Sequence, residues 1–358
     1  MFRYDLSVLA ICVAASSAMA DEPTWRGMND NQWQIIQKLD AGNECHKRIN
    51  MLESLDLATA HTLSLADYLE DNTIIEKALR AHDVVMLEEG VYPITGYGLT
   101  VRGGAILLGQ GRVELDMSEV KKIGSGTHAS LTVTGASFIK DLTITNAPDA
   151  GIRMKNGSTA YQITVRDSGK HSTVSTEGAG FYLKGREAKD LCVVSAVSAG
   201  SYNLIGTSDA TVRGGNADGF KVSFGAENVN LIDVHAFKNS DDGFDFWNAG
   251  QFLLDKKAYA VRVFYSSATY NGVDNGDGQG YKLGASNGRD KGRRLVYGSA
   301  ACKNRADGFT ANNTIAKLEV KNLKSSNNRK KNYRKVANFN KAKWKDADVV
   351  TCRPVAKK

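Results

Sequence analysis

Proline is scarce in this chain, with 4 among 358 residues. Few prolines beside 35 glycines, with scattered Val, Ile, Thr and Asn, point to many short strands joined by tight turns and away from a helical bundle. After the first twenty residues no apolar run approaches the length that spans a bilayer. The five cysteines show no zinc-like spacing. "LLGQGRVELD" holds a Gly-x-Gly but lacks the third glycine and the helix context of a dinucleotide site. "NGDGQG" alone is too short for a calcium-binding nonapeptide array, and no nucleic-acid motif stands out. These absences set aside a helical membrane protein, a zinc module and a nucleotide-dependent enzyme. The length suits one large domain.

What is present begins with charge. The formal net charge is +7 and the sequence pI about 9.0, a balance that suits a polyanionic partner. Residues 1–20, "MFRYDLSVLAICVAASSAMA", carry Arg3, an apolar run from Leu6 to Ala15 and the small-residue pattern Ala18-Met19-Ala20. They read as a signal peptide cut before Asp21, so the protein is expected to be secreted. Cys12 leaves with that segment. Cys45, Cys192, Cys302 and Cys352 remain, which permits two disulfides in three pairings, or buried thiols packed as small hydrophobes.

Residues 21–85 carry apolar side chains at helical spacing, as in "NQWQIIQKLDAG" and "LADYLEDNTIIEKALRAH". From 86 to 325 the pattern changes to short apolar runs and a loose repeat: "AGIRMKN", "AGFYLKG", "DGFKVSF", "DGFDFWN", "QGYKLGA" and "DGFTANN". Its glycines are 151, 180, 219, 243, 280 and 308. Such a period means a solenoid, here an all-β parallel β-helix whose equivalent side chains stack in the interior. An antiparallel sandwich with irregular turns is the competing architecture. The two widest gaps fit one coil with a loop or nearly two coils, with "GSYNLIG" at 200 as a hidden coil. Asparagines after strands suit the bends between coils, because Asn tolerates left-handed backbone angles. The N-terminal helical segment would cap the first coil. Residues 326–358 form a basic tail with interleaved aromatics, read as a solvated face, a cap or a polyanion grip.

If the repeats align, Asp218 lies one coil from Asp242, with Asp241 and Asp245 beside it. Consecutive coils stack about 4.8 Å apart. Four carboxylates gathered on one face make a hard, oxygen-rich site that suits Ca2+. Each aspartate could instead cap a turn by accepting backbone N–H groups. Lys282, in "GQGYKLG", falls on the same face as Asp245. A lysine beside a metal and other cations loses its proton more easily and can serve as a general base; otherwise it is a solvated side chain.

"NADGFKV", "NSDDGFDFWN", "GDGQGYKLG" and "NRADGFTANN", in that order, resemble the core motifs of polysaccharide lyase family 9. The resemblance is sharp over 216–312 and diffuse over 85–325. It implies a right-handed parallel β-helix that cleaves an anionic uronan, pectate first, by β-elimination. It implies calcium on Asp218, Asp241, Asp242 and Asp245, and Lys282 as the base. Where the family pattern reads "GNGFKLGG", this chain has Gln279, Tyr281 and Ala285, which leaves the substrate open. Basic side chains suited to neighbouring carboxylates are Lys221, Arg289 and Arg293, with Arg262 and Arg294 behind them; Trp247 and Tyr281 could stack on sugar rings. The expected partner is an anionic polysaccharide, not nucleic acid and not a membrane, bound by a monomer. Two other readings compete. An inverting polygalacturonase-like hydrolase would use two of the aspartates, but no Gly-His-Gly segment follows them, and Lys282 would have no role. A non-catalytic glycan-binding β-helix with structural calcium would not need Lys282.

Overall fold

A computed structural model describes residues 27–40, 42–121, 129–170, 177–203, 215–255, 257–274, 276–285, 289–312 and 316–334. The segment read as a signal peptide and the chain beyond 334, including Cys352, lie outside these residues. Every strand pairing among them is parallel, which settles the choice between solenoid and sandwich. The strands form two sheets, of nine and fifteen members. We number the nine-stranded sheet: β1 Leu99–Val101, β2 Ala129–Val133, β3 Ala150–Met154, β4 Phe181–Lys184, β5 Phe220–Ser223, β6 Phe244–Asp245, β7 Tyr281–Lys282, β8 Phe309–Thr310 and β9 Tyr333–Arg334. They stack in chain order, one per coil.

The six repeat glycines mark the entry to β3–β8. Their aromatics stack inside the cylinder as a continuous column. Phe181, Phe220, Phe244, Tyr281, Phe309 and Tyr333 follow one another with ring centroids 4.7, 5.1, 4.3, 4.5 and 5.7 Å apart. Offset stacking of this kind adds to the gain from burial alone. The glycines are required by close approach, not by backbone angle. A Cβ on Gly243 would sit 2.7 Å from the Gly280 carbonyl oxygen, and one on Gly280 2.5 Å from that of Gly308. Phe181 pairs directly with Phe220, and Phe244 with Tyr281. The two wide gaps are therefore single coils with loops, and among the described residues no strand near 200 comes between β4 and β5 in this sheet.

The fifteen-stranded sheet bends within its long strands. Phe138–Thr145, Thr159–Arg166, Lys189–Ala199 and Glu227–Phe237 each contain a mid-strand residue of positive φ, Asp141, Gln162, Ser195 and Asp233, and the last two carry another near their start, Asp190 and Asn228. A second stack of left-handed residues, Asn146, Asp167, Gly200, Lys238, Tyr270, Lys303 and Asn327, turns each coil toward the nine-stranded sheet. The residue after four of these is a buried or half-buried asparagine with a different task. Asn239, Asn271 and Asn304 each donate a side-chain N–H to the side-chain oxygen of the next coil's asparagine, at 2.9, 3.0 and 2.9 Å, ending on Asn328. Left-handed angles hold, as expected, at Asn146, Asn322 and Asn327, whereas position in the ladder selects Asn239, Asn271, Asn304 and Asn328.

Four α-helices lie in the N-terminal segment: α1 Asp30–Leu39, α2 Cys45–Glu53, α3 Leu65–Glu70 and α4 Ile74–Ala81. Ile75, Ala78 and Leu79 of α4 join the interior core at the first coil. Helices α1 and α2 lie elsewhere, along the outer face of the fifteen-stranded sheet. Trp33, Ile36, Cys45, Ile49 and Leu52 pack there on Val194, Ile232, Phe264 and Leu295. Cys45 is disulfide-bonded to Cys192, and Cys302 is also disulfide-bonded. The helical segment thus covers a flank as well as an end. The solenoid's first strand, His61–Leu63, falls inside it, and β9 extends the solenoid to 334.

Candidate metal centre

The outward-facing residue two positions after each repeat glycine forms a row across the nine-stranded sheet. Strand register aligns Arg153, Tyr182, Lys221, Asp245, Lys282, Thr310 and Arg334 on β3 to β9. The residue just before the glycine forms a second row, which contains Asp218, Asp242, Gln279 and Asp307. Asp241 precedes Asp242 at the same turn. All four aspartates predicted as ligands are buried.

Asp218, Asp241 and Asp242 each bring a carboxylate oxygen within 4.8 Å of the other two. The capping role and the ligand role turn out to be compatible, because a carboxylate has two oxygens. Asp218 Oδ1 accepts the Asp242 N–H at 3.1 Å, and Asp242 Oδ1 accepts the Gln279 N–H at 2.7 Å. Each brace ties one rung to the next. Asp218 Oδ2 and Asp242 Oδ2 are buried and accept no hydrogen bond, as is true of Asp245 Oδ1. Lysine ammonium groups stand beside the first two without hydrogen-bond alignment, Lys221 at 3.5 Å from Asp218 and Lys282 at 3.2 Å from Asp242. Both oxygens of Asp241 are used by backbone amides, of Asn216 and Asp277, at 2.6 Å each. Buried carboxylate oxygens without donors are costly unless something positive satisfies them. Three such atoms beside a converging triad fit a hard cation such as Ca2+, which accepts six to eight oxygens with loose geometry.

The electrostatics agree. Burial pushes the Asp218 and Asp242 carboxyls well above their ordinary range; Lys221 opposes this at Asp218 and Lys282 at Asp242, while neighbouring aspartates add to it. Burial also raises Asp241. Burial alone would lower the Lys282 ammonium, but Asp245, Asp242, Asp241 and Asp218 outweigh it and hold it well above its ordinary value. Lys282 is thus a charged side chain in the ion-free protein. The easier proton loss expected from neighbouring cations is reversed here, because in this state the neighbours are anions.

The other predicted residues divide. Trp247 faces outward, half-buried, with the Lys282 ammonium 5.5 Å from its ring centroid. Lys221 is in the cluster but buried, with Glu177 at 3.3 Å and Asp218 beside it, so carboxylates of the protein already claim its charge. Tyr281 is fully buried in the aromatic column, which corrects its reading as a sugar-stacking ring: the Gly+1 position points inward. Arg293 lies on the other sheet, bonded to Glu319 at 2.7 Å through Nε, with its guanidinium over Tyr259. Arg262 is held on that sheet by Asp40, and Arg294 is buried against Asp290. None of these three joins the cluster. Arg289 is exposed in the loop after β7. Two acidic residues were missed. Glu177 is held below its ordinary value by Lys221 and Lys184 against the opposing effect of burial. Asp277 stands 3.8 Å from Lys282. Asp277 lies in the acidic, Gly-rich loop before Lys282, where its sequence position was a usable signal; Glu177 carried none.

A parallel β-helix with a buried acidic centre on one sheet defines the class. A family model described as the Pel9A-like, right-handed β-helix region matches residues 72–345, so the chain belongs to that family. This bears out the resemblance read from the motifs. Pectate lyase L of Dickeya dadantii (strain 3937) is 32% identical over 142 residues, covering 37% of this chain and 32% of that protein. Pectate lyase L of Dickeya chrysanthemi matches with the same identity and coverage. The match therefore spans about a third of the length of these relatives. Among solved structures, pectate lyase Pel9A superposes with a TM-score of 0.54 at 19% identity, over 73% of this chain and 67% of that one. A rhamnogalacturonan lyase superposes at 0.51 and 19%, over 69% and 67%. These two likenesses speak to the fold.

Proposed function

We propose that this protein is a polysaccharide lyase that cleaves an anionic uronan, pectate first, by β-elimination. The observation that carries the reading is the set of three buried carboxylate oxygens that accept no hydrogen bond, on Asp218, Asp242 and Asp245, with the Lys282 ammonium 3.2 Å from Asp242. Membership in the Pel9A-like family supports it. Asp218, Asp241 and Asp242, with Asp245 beside them, would hold the cation. When bound, calcium supplies the positive charge those carboxylates otherwise draw from Lys282, and it neutralises the substrate carboxylate next to the reacting carbon.

The chain's own residues do the rest. Asp242, in the turn before β6, and Asp245, paired with Lys282 across β6 and β7, position the Lys282 amine. Neutral Lys282 Nζ takes the C5 proton of a uronate residue. The C5–H electron pair becomes the C4=C5 double bond, the C4–O bond breaks, and the leaving oxygen is reprotonated from solvent. No water is consumed. Trp247 offers an aromatic face beside the amine for the adjoining sugar. The remaining aspartate oxygens, tied to Asn216, Asp277, Gln279 and Asp242 amides, keep the cluster rigid. A hydrolase would need a water between an acid and a base, and it would leave Lys282 idle.

We also read residues 1–20 as an export signal and the protein as a secreted monomer. The Cys45–Cys192 bond supports export, because such bonds persist in oxidising compartments. Among the described residues no helix is long and apolar enough to cross a membrane. The test of the activity is the ultraviolet absorbance of an unsaturated uronide formed from polygalacturonate with calcium. Formation of reducing ends without that absorbance would sink the lyase reading.

A further inference from the structure

The outward row on β3 to β9 has a period. Cations stand on every second rung: Arg153 on β3, Lys221 on β5, Lys282 on β7 and Arg334 on β9. Tyr182, Asp245 and Thr310 fill the rungs between. The rows before β3 carry Thr100 and Thr132 at this position, so the alternation is confined to the coils around the acidic centre. The two inner cations are largely buried among carboxylates, with 5% and 12% of their side chains exposed. The two outer ones are more open, at 31% for Arg153 and 49% for Arg334. Each outer arginine has a carboxylate neighbour at 3.4 Å, Glu187 or Asp307, and Arg153 Nε is buried and donates to nothing. Asp307 and Arg334 repeat the arrangement of Asp242 and Lys282 two rungs away: a carboxylate before the repeat glycine and a cation one rung on. Arg334 differs in being a planar, permanently charged donor suited to binding a carboxylate, not to taking a proton.

Rungs are about 4.8 Å apart, so β3 to β9 spans roughly 29 Å, with like charges recurring at roughly 9.6 Å. In an extended 1,4-linked uronan each sugar advances the chain by nearly one rung, and successive carboxylates point to alternate sides. Carboxylates on one side therefore recur every second sugar, which is the period of the row. We propose that Arg153 and Arg334 are the end subsites of a seven-rung groove and bind carboxylates of a uronan on either side of the acidic centre. This rests on the uronan reading above and deepens it: the chain is built for long, unesterified substrates.

The test uses the full chain carrying Lys282→Ala, with calcium present, and calorimetric binding of oligogalacturonates of three and eight units. An octamer reaches both arginines; a trimer seated at the acidic centre reaches neither. Arg153→Gln and Arg334→Gln should each weaken octamer binding about tenfold, the size of one charge-assisted contact, and change trimer binding less than twofold. Arg→Lys at either position should recover part of the loss and guards against a folding defect. Equal weakening of both oligomers, or none, overturns the proposal while leaving the lyase reading intact. If the native chain neither binds the oligomers nor cleaves the polymer, both fall.

Discussion

The outer faces of the two sheets differ sharply although their backbones follow the same coils. On the fifteen-stranded sheet the outward row reads Tyr161, Val194, Ile232, Phe264 and Tyr297, and helices α1 and α2 cover it. Each apolar side chain fully buried there contributes roughly 1.5–3 kcal/mol. On the nine-stranded sheet the same alternation delivers Lys221, Asp245 and Lys282 beside Asp218 and Asp242. That face buries charge, which costs stability unless partners compensate. A β-helix supplies a rigid ruler of rungs; which residue stands at the outward position decides whether a face becomes a seam or a site.

The largest expected contrast comes from Lys282→Ala. Loss of a general base lowers turnover by about 10²–10⁴-fold. Formation of unsaturated product from polygalacturonate should fall by that factor while calcium binding, measured by calorimetry, persists. Breaking the other face should do the reverse. Cys45→Ala with Cys192→Ala removes a bond between residues 147 apart in sequence and should cost about 2–5 kcal/mol in denaturant unfolding, with turnover of the folded protein unchanged.

Asp242→Asn sharpens the comparison through pH. The Asp242 and Asp218 carboxyls are raised in the fold, so the native state binds protons more tightly than the unfolded chain. Stability of the ion-free protein therefore falls as pH rises above the ordinary carboxylate value of about 4. The variant should lose less over the same rise in pH, in thermal unfolding without calcium. Its melting temperature should also gain little from added calcium. The smallest effect belongs to Trp247→Ala, which should raise KM a few-fold, about 1 kcal/mol, with little change in kcat.

Much of this was legible in the residues. The Gly-aromatic repeat announced both the solenoid and the stacked interior, because a rung that must pass close to its neighbour needs glycine and an interior column rewards identical rings. The same register placed Asp218, Asp242, Asp245 and Lys282 on one face. Except for Tyr281, what failed had no local signal. Tyr281 read as a sugar platform until the alternation of the strand put it inside. Arg293 looked available, but its sheet and its partner Glu319 depend on contacts between coils. The flank position of α1 and α2 depends on long-range packing and on the Cys45–Cys192 pairing, which spacing left open among three choices. The charge state of Lys282 followed from four aspartates whose approach only the assembled coils reveal.

The central claim is that a cation held by these aspartates and a lysine base together carry out elimination. The most direct measurement is ultraviolet absorbance of product from polygalacturonate, followed for the native chain with calcium, after chelator, and after calcium is restored. The account predicts growth with the ion, none without it, recovery on return, and no comparable growth from Lys282→Ala. Undiminished growth in the chelated protein, or in the alanine variant, would contradict it.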